Sequence, residues 1–60
     1  MATSDADRER AAELYAEARR LHAEKDYYAA REPYQESLRL HEDEEVREAY
    51  NRLMATIGPL

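Results

Sequence analysis

The chain has 60 residues, which is enough for one small domain and too few for two. Its 14 acidic residues outnumber its 9 lysines and arginines, so the net charge is −5 and general binding to a nucleic-acid backbone is excluded. Cysteine is absent, which excludes disulfides, thiolate zinc sites and thiol nucleophiles.

The apolar residues are numerous but small. Eleven of them are alanines, and leucine, isoleucine and valine together contribute only eight. Alanine allows helices to approach closely, and the five tyrosines supply the bulk of the core. No apolar run is long enough to cross a membrane, and the charged start does not resemble a secretory signal. We therefore expect a cytoplasmic protein with a small core, which a partner or self-association would stabilise.

The first predicted helix runs from about residue 5 to residue 24. Ser4 is a suitable N-cap, and Asp5 and Asp7 lie where the helix dipole favours negative charge. We expect residues 1–4 to be disordered. One stripe recurs at helical spacing and indicates the buried face: Ala11, Leu14, Tyr15, Ala18, Leu21 and His22.

The second predicted helix runs from Asp26, its expected N-cap, to about residue 40. Pro33 lies inside it and removes one backbone hydrogen bond at a cost of about 3 kcal/mol. Either the helix kinks at Pro33, or it begins later with Pro33 in its first turn. The stripe keeps its register through the proline, which favours the kink: Tyr27, Ala30, Tyr34, Ser37, Leu38 and His41.

The third predicted helix spans about residues 43–57. The acidic run 42–45 suits a helix N-terminus, and Gly58 followed by Pro59 is a helix stop. Residues 59–60 are expected to form a short tail. The apolar stripe of the third helix consists of Val46, Ala49, Tyr50, Leu53, Met54 and Ile57.

Two pairs on this helix have the favourable i,i+4 orientation, Asp43 with Arg47 and Glu48 with Arg52. The connections between helices are short, so consecutive helices are predicted to pack antiparallel. The expected fold is an all-α, antiparallel three-helix domain covering residues 5–58, with a hairpin over 5–40 and a third helix over 43–57.

The first two helices resemble a tetratricopeptide repeat, a helical hairpin 34 residues long. The window 11–44 has that length, and small residues recur at the positions where the family's two helices pack. In this window Glu17 stands where the family prefers leucine, and Glu42 where it prefers proline. The matching residues are Leu14, Ala18 and Leu21 of the first helix, Asp26-Tyr27 at the turn, and Ala30, Tyr34, Ser37, Leu38 and Leu40 of the second.

The third helix does not continue the repeat. Its residues do not occupy the signature positions of a second copy, and it resembles the capping helix that covers a last repeat. A three-helix microtubule-interacting-and-transport domain is similar in outline and is the alternative.

The resemblance implies a concave surface that binds a peptide or a helix of another protein. On this chain the corresponding direction is carried by Ala12, Tyr15, Arg19 and His22, spaced by three, four and three residues. Asp43 and Glu44 are expected to flank it. The competing interpretation is that Tyr15 and His22 are the edge of the core and Arg19 is merely solvated.

We expect no catalytic activity and no cofactor. Apart from tyrosine, the hydroxyl side chains are few and their positions suit a terminus or helix packing. A metal site would need His22 and His41 to meet across the hairpin with Glu17 or Glu45, and packing or interface roles are the favoured interpretation of both histidines.

Two functional hypotheses follow. The first is a protein-binding adaptor, and the second is a self-assembling scaffold module, most simply a symmetric dimer. In both, the helices pack through one set of residues: Leu14, Ala18, Leu21, Ala30, Tyr34, Ser37 and Leu38.

Overall fold

A computed structural model of the chain describes residues 4–58, which form three α-helices and contain no strand. The helices are α1 (Asp5–Ala23), α2 (Tyr27–Leu40) and α3 (Glu44–Ile57). Helix α2 packs against both neighbours, whereas α1 and α3 scarcely contact each other. The predicted all-α, three-helix fold class is confirmed. Of the N-terminal segment 1–4 that was predicted to be disordered, residues 1–3 lie outside the described residues, as does the predicted tail 59–60, whereas Ser4 is ordered as the N-cap of α1.

Helix α1 begins at an N-cap formed by a serine side chain. The Ser4 hydroxyl accepts a hydrogen bond from the Asp7 backbone N–H at 3.1 Å, as expected for this residue type. Asp5 and Asp7 lie in the first turn, and Arg20 and His22 lie in the last. The charges of Asp5, Asp7 and Arg20 complement the helix dipole.

The turn from α1 to α2 is a Schellman motif built without glycine. The Asp26 N–H donates to the Leu21 carbonyl at 2.9 Å, and the Lys25 N–H donates to the His22 carbonyl at 3.0 Å. Lys25 has a φ of 64°, in the left-handed region that glycine usually occupies. This tight turn reverses the chain and makes α1 and α2 antiparallel.

Helix α2 is continuous through Pro33, so the alternative in which the helix begins at Pro33 is wrong. Asp26 occupies the N-cap position, but its carboxylate makes no capping hydrogen bond. Its backbone carbonyl accepts from the Ala30 N–H at 3.0 Å. Pro33 has no N–H to donate to the Ala29 carbonyl one turn earlier, and that carbonyl therefore lacks its usual helical donor.

Helix α3 is capped by Asp43, whose carboxylate accepts from the Glu45 N–H at 2.9 Å. The predicted Asp43–Arg47 ion pair is wrong. Because the cap holds the Asp43 carboxylate, Arg47 pairs through two nitrogens with Glu42, at 2.8 and 3.1 Å.

The second pair predicted on α3, Glu48 with Arg52, is also not formed within residues 4–58. Gly58, with a φ of 90°, ends the helix as predicted.

The core lies where α2 meets its two neighbours. Ala18 and Ala30 are fully buried, which lets the α1 and α2 backbones approach closely. The Ser37 hydroxyl donates to the Ala11 carbonyl at 2.8 Å, so the buried polar atom is satisfied. Of the seven residues expected to pack the helices together, six are buried and Leu21 is half-buried. The buried hydrophobic side chains are Ala11, Leu14, Ala18, Ala30, Tyr34, Leu38, Val46 and Leu53.

None of the three helices is long and apolar enough to cross a membrane, within the part of the chain that the structure describes.

Candidate functional site

A groove runs between α1 and α3 because α2 packs against both and holds them apart. We call it the α1–α3 groove. It contains a depression of about 310 Å³ and a second, of about 330 Å³, that shares its side chains and extends toward the start of α3. The lining residues are Tyr15, Arg19, His22 and Ala23 of α1, Tyr34 of α2, and Glu45, Glu48, Ala49 and Arg52 of α3.

The floor of the groove is Tyr34, whose side chain is 1% exposed. Its hydroxyl lies 3.1 Å from His22 Nδ1, and the two rings meet edge to face at 6.1 Å. The Tyr15 ring lies 6.1 Å from the Tyr34 ring, and the Tyr50 ring lies 6.2 Å from it on the α3 side. Tyr15 and Tyr34 therefore give the groove an aromatic, amphipathic surface, and Tyr50 packs beside Tyr34 without lining the groove.

Burial raises the pKa of the Tyr34 hydroxyl above its ordinary value, because the phenolate would be desolvated. Neighbouring Tyr15 raises the pKa further, and the positive charge of Arg19 partly opposes both effects. Tyr34 is therefore neutral near pH 7 and shares one hydrogen bond with the His22 ring.

Two arginines face each other across the groove. The Arg19 guanidinium lies 5.5 Å from the centre of the Tyr15 ring, in a cation–π contact. Neither Arg19 nor Arg52 forms an ion pair within residues 4–58. Glu45 and Glu48 line the end of the groove nearest the start of α3. A ligand entering the groove therefore meets two unpaired guanidinium groups above an aromatic floor, with acidic groups at one end.

Three of the four residues predicted to bind a partner line this groove: Tyr15, Arg19 and His22. Ala12 does not. It is exposed and lines a smaller neighbouring depression, which shares Tyr15 and also includes Asp43. The four residues therefore belong to two adjoining depressions, because Ala12 lies about 10 Å before Arg19 along the axis of α1 although both are on nearly the same face.

Sequence reasoning missed the α3 wall. Glu45, Glu48, Ala49 and Arg52 recur every three or four residues, which places them on one face of α3. The spacing is visible in the sequence and shows that these residues share one face of α3. The sequence does not show that this face turns toward α1, because that depends on the angle at which α3 crosses α2.

The two histidines do not meet across the hairpin. Because α1 and α2 are antiparallel, His22 lies at the end of α1 beside Tyr27 and Tyr34, whereas His41 lies near Ala11 and Ala12 in the first half of α1. Within the described residues no group of three or more potential metal ligands comes together.

Comparisons of the chain with protein-family models, curated proteins and solved structures found no match. The likeness to a tetratricopeptide hairpin therefore remains a resemblance in the residues given above.

Proposed function

We propose that this chain is a non-catalytic protein-binding module, a tetratricopeptide-like hairpin with a capping helix, whose α1–α3 groove binds a peptide or helix of a partner. The observation that carries the proposal is the pair of unpaired guanidinium groups, Arg19 and Arg52, on opposite walls above the buried Tyr34 ring.

The side chains of the groove suit recognition of a carboxylate beside a large apolar residue. Arginine offers a planar fork that matches a carboxylate, and it is weakly hydrated, so its desolvation costs less than that of lysine. Tyrosine gives a large contact area at low entropic cost. An aromatic or leucine side chain of the partner would lie on Tyr15 and Tyr34, with its acidic neighbour between the two arginines.

The orientation of such a ligand follows from the charges along the groove. Glu45 and Glu48 repel a carboxylate at the end nearest the start of α3. The acidic group of the partner is therefore expected beside Arg19 and Arg52, with any basic residue toward Glu45 and Glu48.

A display selection with random twelve-residue peptides tests the proposal. The immobilised wild-type chain should enrich peptides that carry aspartate or glutamate next to a large apolar residue. The Arg19→Ala/Arg52→Ala variant should lose this enrichment. Both side chains are exposed and form no ion pair within residues 4–58, but Arg19→Ala also removes the cation–π contact with Tyr15, so circular dichroism of the variant checks that it is folded.

The control is Arg10→Ala/Arg20→Ala, which removes the same charge from exposed positions outside the groove and breaks two exposed ion pairs, with Glu13 and Glu24, that contribute little to stability. It should enrich the same acidic peptides as the wild type. Enrichment that is equal in both double variants would contradict the proposal, as would the absence of acidic–apolar peptides from the wild-type selection.

The alternative is a self-assembling scaffold module. Among residues 4–58, Tyr28 is the one large hydrophobic side chain that is exposed, at 64%. Leu40 and Met54 are half-buried. The apolar area available to a dimer is therefore centred on Tyr28, away from the α1–α3 groove.

A further inference from the structure

A second groove lies between α1 and α2, and no residue of α3 lines it. We call it the outer groove. Its base is apolar and consists of Leu14, Leu21 and Pro33, and its volume is about 540 Å³. Three glutamates stand around this base: Glu17, Glu32 and Glu36.

The charges of the outer groove do not cancel. Glu36 pairs with Arg39, which also lines the groove, at 3.2 Å. Glu17 and Glu32 are exposed and form no ion pair within residues 4–58. Two unpaired carboxylates, one on each helix, therefore face the apolar base from opposite sides.

Pro33 adds a third acceptor. Because the proline nitrogen carries no hydrogen, the Ala29 carbonyl lacks the donor that a regular helix would supply. Ala29 lines the outer groove together with Pro33. The groove thus combines an apolar base with hydrogen-bond acceptors that have no partner in the helices. It favours a ligand that carries apolar side chains, hydrogen-bond donors and positive charge.

We propose that the outer groove docks a cationic amphipathic helix of another protein. Its leucine-like side chains would cover Leu14, Leu21 and Pro33, while its lysines or arginines would reach Glu17 and Glu32. Ala29 to Arg39 on α2 spans about 15 Å, which a ligand helix of about ten residues matches. The net charge of −5 would also speed the approach of such a partner.

A second copy of this chain is the less favourable occupant. A symmetric dimer through the outer groove would place Glu17 and Glu32 against their own counterparts, and like charges across an interface oppose association. The proposal goes beyond the peptide-binding function of the α1–α3 groove, because it concerns another surface with the opposite charge preference.

The test uses one defined probe, a fluorescein-labelled fourteen-residue peptide with leucines on one helical face and lysines beside them. Fluorescence anisotropy gives its affinity for the full chain. Glu17→Lys/Glu32→Lys should weaken binding by about tenfold or more, because attraction becomes repulsion at both contacts. The control, Glu9→Lys/Glu13→Lys, makes the same change in net charge at exposed α1 positions that do not line the groove, and it also breaks the exposed Arg10–Glu13 ion pair. It should change the affinity by less than about threefold.

Equal weakening in the two variants would overturn the proposal, because the peptide would then respond only to overall charge. Chemical-shift mapping with ¹⁵N-labelled protein supplies an independent outcome. We expect the largest changes at Leu14, Leu21 and the segment 29–36. Changes concentrated at Tyr15 and Ala49 would show that the peptide binds in the α1–α3 groove, which would contradict the proposal.

Two further variants separate the contributions. Pro33→Ala restores the backbone hydrogen bond to the Ala29 carbonyl and removes the proline ring from the groove. The affinity for the peptide should therefore fall several-fold, while the protein becomes more stable. If the affinity is unchanged, the Ala29 carbonyl does not take part in peptide binding.

Arg19→Ala/Arg52→Ala should not lower the affinity for the cationic peptide. This variant therefore distinguishes failure of the outer-groove proposal from failure of the function proposed for the α1–α3 groove.

Discussion

Lys25 is held in a backbone conformation that its side chain disfavours. With a φ of 64° it occupies the position after the end of α1 where glycine is most common. Lys25→Gly should stabilise the protein by about 0.5–1 kcal/mol, because relief of the steric cost exceeds the extra entropy of glycine in the unfolded chain. Urea unfolding measures the change.

The neighbouring residue gives the control for that substitution. Glu24 has a φ of −80°, which any residue adopts without strain. Glu24→Gly should therefore destabilise the protein, since only the entropic cost of glycine applies. Equal losses of stability in the two glycine variants would show that Lys25 is not in the left-handed region.

Tyr34 and His22 share the one hydrogen bond that joins the floor of the α1–α3 groove to its wall. Tyr34→Phe keeps the buried ring and deletes the hydroxyl. We expect a loss of about 1 kcal/mol in the free energy of unfolding, because the half-buried His22 ring loses its partner. Tyr27→Phe is the control, since its ring contact with His22 does not need the hydroxyl.

The raised pKa of Tyr34 predicts a pH dependence at the alkaline end. The folded state holds this proton more tightly than the unfolded state does. The resulting stability is fully present below pH about 10 and is lost as the pH rises through the folded-state pKa. Unfolding measured at several pH values above 9 should therefore show a steeper loss in the wild type than in Tyr34→Phe. Parallel curves would contradict the burial of this hydroxyl.

At the scale of the helices, the α1–α2 contact depends on alanine. Ala18 and Ala30 are both fully buried between the two helices and their neighbours. Ala18→Leu should destabilise the protein by about 1–3 kcal/mol, since the larger side chain overpacks the interface. Ala16→Leu, at an exposed position of the same helix, should change stability little. If both variants melted at the wild-type temperature, α1 would not pack through Ala18.

Pro33 weakens α2 from inside. Pro33→Ala should stabilise the protein by about 1–3 kcal/mol, because it restores a backbone hydrogen bond and introduces a better helix former. Thermal unfolding followed by circular dichroism checks this. A lower melting temperature would mean that the contacts of the proline ring in the outer groove outweigh the missing hydrogen bond.

The helices themselves were predictable from the sequence, because their limits depend on local chemistry. The spacing of the stripes, the cap Ser4 and the acidic run 42–45 placed α1, α2 and α3 within a residue of their positions in the structure, although the predicted cap Asp26 makes no side-chain hydrogen bond. The turn at Lys25 was less visible, since a lysine in a glycine position leaves no sequence signal.

The site was only half predictable. Helical spacing brought Tyr15, Arg19 and His22 to one wall, but their engagement with Tyr34 depends on the register between α1 and α2. Arg52 was missed because its position opposite Arg19 depends on the orientation of α3. Periodicity identifies the face of a helix and does not specify which face of another helix it meets.

At the scale of the whole molecule, the assembly state separates the two functional hypotheses. The self-assembly hypothesis predicts a species of twice 7.0 kDa in sedimentation equilibrium. Since Tyr28 is the exposed hydrophobic side chain of the described chain, Tyr28→Lys should then dissociate the dimer, while Tyr28→Phe should retain it. A species of 7.0 kDa at hundreds of micromolar would contradict this prediction.

The two grooves give the molecule opposite charge preferences on different surfaces. The α1–α3 groove presents the unpaired Arg19 and Arg52, whereas the outer groove presents the unpaired Glu17 and Glu32. Under the two proposals, a single chain would bind an acidic–apolar segment and a cationic helix at the same time. Binding at the two grooves should be nearly independent, since α1 separates them and they share no lining residue.

The most direct measurement is a chemical-shift titration of the ¹⁵N-labelled chain with the peptide most enriched by display selection. Binding in the α1–α3 groove predicts the largest amide shifts at Tyr15, Arg19, Ala49 and Arg52, and their loss in Arg19→Ala/Arg52→Ala. Arg10→Ala/Arg20→Ala should retain the wild-type shifts. Shifts that map to other surfaces, or that persist unchanged in the Arg19→Ala/Arg52→Ala variant, would contradict the proposed function.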